Sequence, residues 1–155
     1  MTDAIVNVLH LLATAMWIGG ALAIHFVFQP ALAQIDPPQA AKAMGFLSKR
    51  FSIIAWSCIL VLIVTGLIKT PEGMLTDTSS EVAMTLFIKH IFVLLVIVVG
   101  LIIAFVVVPR LRKAAPAPGE KPSDEFIAAQ QRLAMLSKVN TLFGIAILVC
   151  ASLLW

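Results

Sequence analysis

The sequence predicts an all-α membrane protein, a four-transmembrane-helix bundle with both termini periplasmic. Three observations carry this. Of the 155 residues, 61% are hydrophobic and 12% charged, against about half and a quarter in ordinary globular domains. Four apolar stretches, about residues 5–28, 51–68, 84–108 and 139–155, have the length of roughly 20 residues that a helix needs to cross the hydrocarbon layer. The basic residues fall almost entirely in two of the three connections. This composition excludes a soluble enzyme domain and a disordered tail. The net charge of only +3 gives no phosphate-binding signature, so no nucleic-acid partner is expected.

The first stretch is a retained span. Ala31-Leu32-Ala33 resembles a cleavage site, but Met1-Thr2-Asp3 carries no Lys or Arg. The apolar run is also longer than the h-region of about 7–15 residues in a signal peptide. Pro30 and Pro37-Pro38 are expected to end this span, Pro71 follows the second, and Pro109 is expected to end the third. Backbone groups in lipid must pair internally, which makes the spans helices. Residues 109–138 then form a cytoplasmic loop, flexible over Ala114–Gly119. Within it, Ser123 is expected to cap a short amphipathic helix over residues 124–138 that feeds the fourth span. No internal repeat is evident, and residues 1–155 read as one four-span domain.

Orientation follows from Lys and Arg, which favour the cytoplasmic side. Nine of the eleven lie in the first and third connections or their flanks: Lys42, Lys49, Arg50, Arg110, Arg112, Lys113, Lys121, Arg132 and Lys138. Lys69 and Lys89 fall on the other side, with an acidic loop holding Glu72, Asp77 and Glu81. The expected location is the bacterial inner membrane, multi-pass, with the lipid bilayer as partner. Cys58 and Cys150 are isolated, without CxxC or CxxCH spacing. That spacing argues against thiolate zinc and c-type haem, and buried thiols of this kind are small apolar fillers.

Polar residues of the first span gather in one stripe. Asn7, His10, Thr14, Trp17, Ala21 and His25 fall within a sector of roughly 80° at helical spacing, and such a stripe faces the bundle interior. Trp17 sits near the midplane, whereas Trp56 and Trp155 suit the interfacial belts. On the second span Cys58, Thr65 and Lys69 share a face, and Asn140, Thr141 and Gly144 do so on the fourth. His10 and His90 lie at matched depth near the outer ends of the first and third spans. In an up-down bundle those helices are diagonal. His25 is about 22 Å deeper than His10, suited to packing or proton relay; an inner metal site there lacks a visible partner.

Two opposed imidazoles supply the axial ligands of a b-type haem. They also suit copper, for which Met74 and Met84 near the outer loop are soft donors, or they are packing residues. In the haem reading His10 and His90 bind the iron and Trp17 packs beside the ring. Asn7, Thr14 and Lys89 support the cofactor. Lys89 can pair with propionates or compete with His90 as ligand. Six-coordinate iron favours electron transfer with a redox partner or quinone, so a haem-dependent oxidoreductase remains one option. Gly19-Gly20, Gly66, Gly100 and Gly144 permit close helix approach, as packing or as a homodimer seam.

The segment His10-Leu-Leu-Ala-Thr-Ala-Met-Trp17-Ile-Gly19-Gly20 resembles the opening of the CopD superfamily of bacterial inner-membrane proteins. Thr65-Gly66-Leu67, Leu86-Phe87-Ile88-Lys89-His90 with Val108-Pro109-Arg110, and Asn140-Thr-Leu-Phe-Gly144 are similar to its later spans. The resemblance implies copper uptake or resistance. The related HemJ proteins are similar in layout and imply haem b and protoporphyrinogen oxidase activity, with ligands at His10 and in the Lys89/His90 neighbourhood.

Overall fold

The computed structural model describes residues 2–70, 73–74, 78–117 and 120–154. Among them all regular structure is helical. Four helices are long and apolar enough to cross a membrane: α1 Thr2–Leu32, α2 Pro37–Lys69, α3 Glu81–Lys113 and α4 Asp124–Ser152. This is the helical, four-span class that hydropathy predicts. Pro71, the acidic-loop residues Glu72 and Asp77, Pro118-Gly119 of the flexible loop, and the belt residue Trp155 lie outside the described residues.

The chain divides into two compact units, Met1–Glu72 and Gly73–Trp155. In the first, α1 packs along α2; in the second, α3 packs along α4. Each unit is a helical hairpin. Large apolar side chains remain exposed along both, Phe26 (76%), Leu60 (65%), Phe105 (75%) and Leu142 (62%) among them. Exposure on that scale is sustained by lipid, where apolar surface has no water to avoid. Small or β-branched residues fill the seams: Ala13 and Ile18 beside Trp17 in α1, Ala83 and Val96 in α3, Gly144 and Ile147 in α4.

The helix starts are written locally. Ser80 Oγ accepts the Ala83 N–H at 3.2 Å, with Glu81 in the first turn, and Ser123 Oγ accepts the Phe126 N–H at 3.2 Å. These side chains satisfy donors that the first turn leaves unpaired. The Ser123 cap is as expected, but the helix it begins is not short: α4 runs unbroken to Ser152. No proline interrupts it, and propagating a helix is easier than nucleating a second one.

The prolines act differently from expectation. Pro30 does not end α1, and Pro109 does not end α3. Each helix instead widens into one π-turn, Ile24–Phe28 and Ile103–Val107, and then resumes α geometry through the proline to Leu32 and Lys113. The Gln29 N–H bonds Ile24 O, and the Val108 N–H bonds Ile103 O, five residues back in both cases. A proline ring clashes with the carbonyl four residues earlier in a regular α-helix; the wider turn removes that clash. Pro37-Pro38 open α2 rather than close α1, since the first helical turn needs no N–H from them.

The two π-turns also correct the absence of a repeat. Ile24-His25-Phe26-Val27-Phe28-Gln29-Pro30 and Ile103-Ala104-Phe105-Val106-Val107-Val108-Pro109 share Ile, Phe, Val and Pro at one constant spacing. Their phenylalanines have the same exposure, 76% and 75%. At that spacing the buried Trp17 corresponds to the buried Val96. Each unit is therefore a long helix with a π-turn and proline near its end, a connection, and a returning helix.

Candidate functional site

In the first hairpin, His10 Nδ1 lies 2.7 Å from Thr65 Oγ1. The Thr65 hydroxyl donates its single proton to Val61 O at 2.6 Å, so its oxygen accepts the His10 Nδ1–H. Thr65 is buried. The ring lies over the next residue too: a Cβ on Gly66 would stand 3.9 Å from His10 Cε1. Thr65-Gly66 is thus the seat of His10. Further along, a Cβ on Gly20 would fall 2.5 Å from Phe51 Cε2, so the α1 backbone at Gly20 rests on the Phe51 ring. The pairs His10–Thr65 and Gly20–Phe51 fix α1 and α2 as antiparallel.

In the second hairpin, His90 Nδ1 is 2.7 Å from Leu86 O. A carbonyl only accepts, so Nδ1 bears the proton and Nε2 the lone pair. His25, inside the α1 π-turn, has Nδ1 3.3 Å from Gln29 Oε1, which gives the same tautomer. All three histidines are half-buried. Metal-binding imidazoles are commonly prepared in this way, with the non-ligating N–H held by a carbonyl or similar acceptor.

The other expected site residues divide. Trp17 is 7% exposed and lines the α1 seam with Ala13 and Ile18. Asn7 and Lys89 are half-buried. Thr14 gives its hydroxyl to His10 O, one turn back on its own helix, at 2.8 Å. Met84 is exposed and Met74 half-buried. Cys58 is buried and Cys150 half-buried, both as free thiols. Among the described residues, no three His, Cys, Asp or Glu side chains gather closely enough to hold a metal ion. The donors are single imidazoles, prepared separately on each hairpin.

Spacing identified the interior face of α2 but not the pairing of Thr65 with His10. Helical arithmetic gives a direction for each side chain, not the partner helix opposite it. Asn140 on α4 carries a further signal: its Oδ1 is buried with no hydrogen-bond partner.

No curated protein and no solved structure matches this chain. The family described as Copper resistance protein D matches residues 46–154. The match takes in most of α2, with Thr65, and all of α3 and α4, with His90; His10, Trp17 and His25 precede it. Four helices of membrane-crossing length and a match over more than half its length make this chain a member of the CopD family, a multi-pass protein of the inner membrane.

Proposed function

We propose that this protein handles copper at the inner membrane, in uptake or resistance, with copper as its cargo. Besides family membership, the observation that carries this reading is the shared preparation of His10 and His90. In each, Nδ1 is held by an oxygen, which orients the ring. Neutral imidazole nitrogen suits copper, and thioether sulfur adds affinity for copper(I). His10 and His90 are the primary nitrogen donors, with Met84, in the first turn of α3, and Met74, in the connection before it, as soft donors. The basic connections orient those ends outward, so the donors meet copper arriving from the periplasm. Thr65 and the Leu86 carbonyl are positioning groups that fix the tautomers; Trp17 closes the α1 seam below His10.

The full-length protein in detergent is expected to bind copper stoichiometrically by elemental analysis. Growth of the host should depend on copper when the gene is removed or overexpressed. Thr65→Val is expected to weaken copper binding at His10 by about 10–100-fold, the usual effect of losing a group that orients a ligand. Thr65→Ser should retain binding. A b-type haem in an electron-transfer role is the other reading that these histidines permit. A red preparation with a sharp Soret band, containing iron and no copper, would overturn the copper reading in favour of haem. A colourless, metal-free protein would remove both.

A further inference from the structure

The two helices of the second hairpin call for different surroundings at one depth. Phe92 of α3 rests on Phe143 of α4, with ring centroids 5.8 Å apart. Toward the basic end, the π-turn Ile103–Val107 and the final turns Val108–Lys113 also pack on α4. Counted equally from the ring pair along these antiparallel helices, Ile97 is level with Lys138, and Leu101 with Ala134. Beyond Ile97, α3 carries no polar side chain before Arg110. The side chains it turns outward there include Leu101, Ile102, Phe105 and Val106. On the matching half of α4, Gln130, Gln131, Arg132 and Lys138 are exposed. Among the described residues none of these four makes a hydrogen bond or an ion pair.

Neither lipid nor water suits both helices. Lipid would penalise the charges and amides of α4, and water would meet a contiguous apolar patch on α3. Snorkelling does not resolve the conflict. Lys138 is level with Ile97, near the middle of the apolar run 84–108 and about 16 Å inside its end at Val108, beyond the reach of a lysine stem. The first hairpin repeats the division independently. There Gly20 rests on Phe51, which brings the neighbouring Arg50 level with Ala21, well before the apolar run of α1 ends at Phe28. Toward the basic end α1 turns Phe26, Val27 and Phe28 outward, whereas α2 exposes Lys42, Ser48, Lys49 and Arg50 alongside Phe46.

We infer that the outward face of α4 from Gln130 to Lys138 borders a water-filled cleft, while α3 beside it faces lipid. The cleft is open at the basic-loop end and reaches to the level of Ile97. Water is the occupant because it both donates and accepts: the two amides need both, and the two cations only donate. The face of α2 that carries Lys42, Lys49 and Arg50 is wetted in the same way. A polar solute at that end then meets hydrocarbon only over the outer half of the spans. The cleft does not depend on the copper reading.

The test is cysteine accessibility in the full-length protein, with Cys58 and Cys150 replaced by serine. Lipid nanodiscs leave both membrane faces open to a charged methanethiosulfonate reagent. Two pairs of exposed positions share a depth to within one residue: Lys138→Cys with Val98→Cys, and Ala134→Cys with Leu101→Cys. The α4 member of each pair is expected to react within about tenfold of the rate of Ala115→Cys in the connection. The α3 member should react on the order of a hundredfold more slowly, since a charge is excluded from hydrocarbon. Slow reaction at both members would overturn the inference, because α4 is then covered by lipid or by a partner. Fast reaction at both would overturn it as well, because that end then stands outside the membrane. Reaction at Ala134→Cys without Lys138→Cys would overturn the depth. If Lys138→Cys does not fold, Ala134→Cys and Leu101→Cys decide alone. Elemental analysis of the same preparations reads copper separately, so the proposed function is tested apart from the cleft.

Discussion

A methyl group added at Gly20 would land 2.5 Å from a carbon of the Phe51 ring, whereas one added at Gly19 would meet nothing within 4 Å. Two adjacent glycines thus have different duties. Gly20 lets α1 close on α2; Gly19 does not. Gly20→Ala should force Phe51 out of its rotamer and destabilise the protein by about 1–3 kcal/mol, the usual cost of overpacking. Gly19→Ala should be neutral. Phe51→Leu added to Gly20→Ala should recover part of the loss, a coupling that thermal unfolding in detergent will read. Equal effects at Gly19 and Gly20 would contradict this account of the seam. Sequence marked both glycines as sites of close approach without separating them, because spacing assigns a face while the contact depends on the ring opposite. His10 illustrates the same limit. Its polar stripe and depth were legible in the order of residues, but its tautomer depends on Thr65, fifty-five positions away.

At the scale of the helix, sequence located the breaks and misjudged their form. Proline in an apolar run ordinarily ends or kinks a helix, and both Pro30 and Pro109 were expected to do so. The chain instead inserts one residue ahead of each, as a π-turn. In a membrane this solution is favoured, because ending the helix within hydrocarbon would leave several backbone groups unpaired. The extra residue is testable by deletion. Removing Val106, an exposed π-turn residue, restores α spacing and brings Pro109 against the carbonyl of Ala104, then four residues before it. The deletion alone should cost about 3 kcal/mol, the penalty of an interior helical proline. Adding Pro109→Ala should return stability to near wild type. Thermal unfolding of the two variants checks this; a deletion that is harmless without the second change would show that the π-turn does not serve the proline.

For the whole chain, the bilayer makes the class legible: a backbone that must satisfy itself leaves four apolar stretches no form but helices. The duplication was hidden because only Ile, Phe, Val and Pro survive across the seven paired residues, and hydropathy treats most apolar exchanges as equal. Once seen, it bears on orientation. The basic residues gather at the connected end of both hairpins, on the returning helix in the first and in the last turns of the outgoing helix in the second. Lys42, Lys49 and Arg50 lie there in the first hairpin, Arg110, Arg112 and Lys113 in the second. Two hairpins charged alike at the connected end should each insert with that end cytoplasmic, since the Lys/Arg bias of short connections sets topology. With Cys58 and Cys150 replaced by serine, Thr78→Cys should react with a membrane-impermeant maleimide in spheroplasts. Ala43→Cys and Ala115→Cys should react only after the cytoplasmic face is opened; all three positions are exposed. The opposite pattern would do more than invert a drawing. It would turn the basic end of the first hairpin toward the periplasm and His10 toward the cytoplasm, and so would reverse the direction of copper entry that the proposed function assigns.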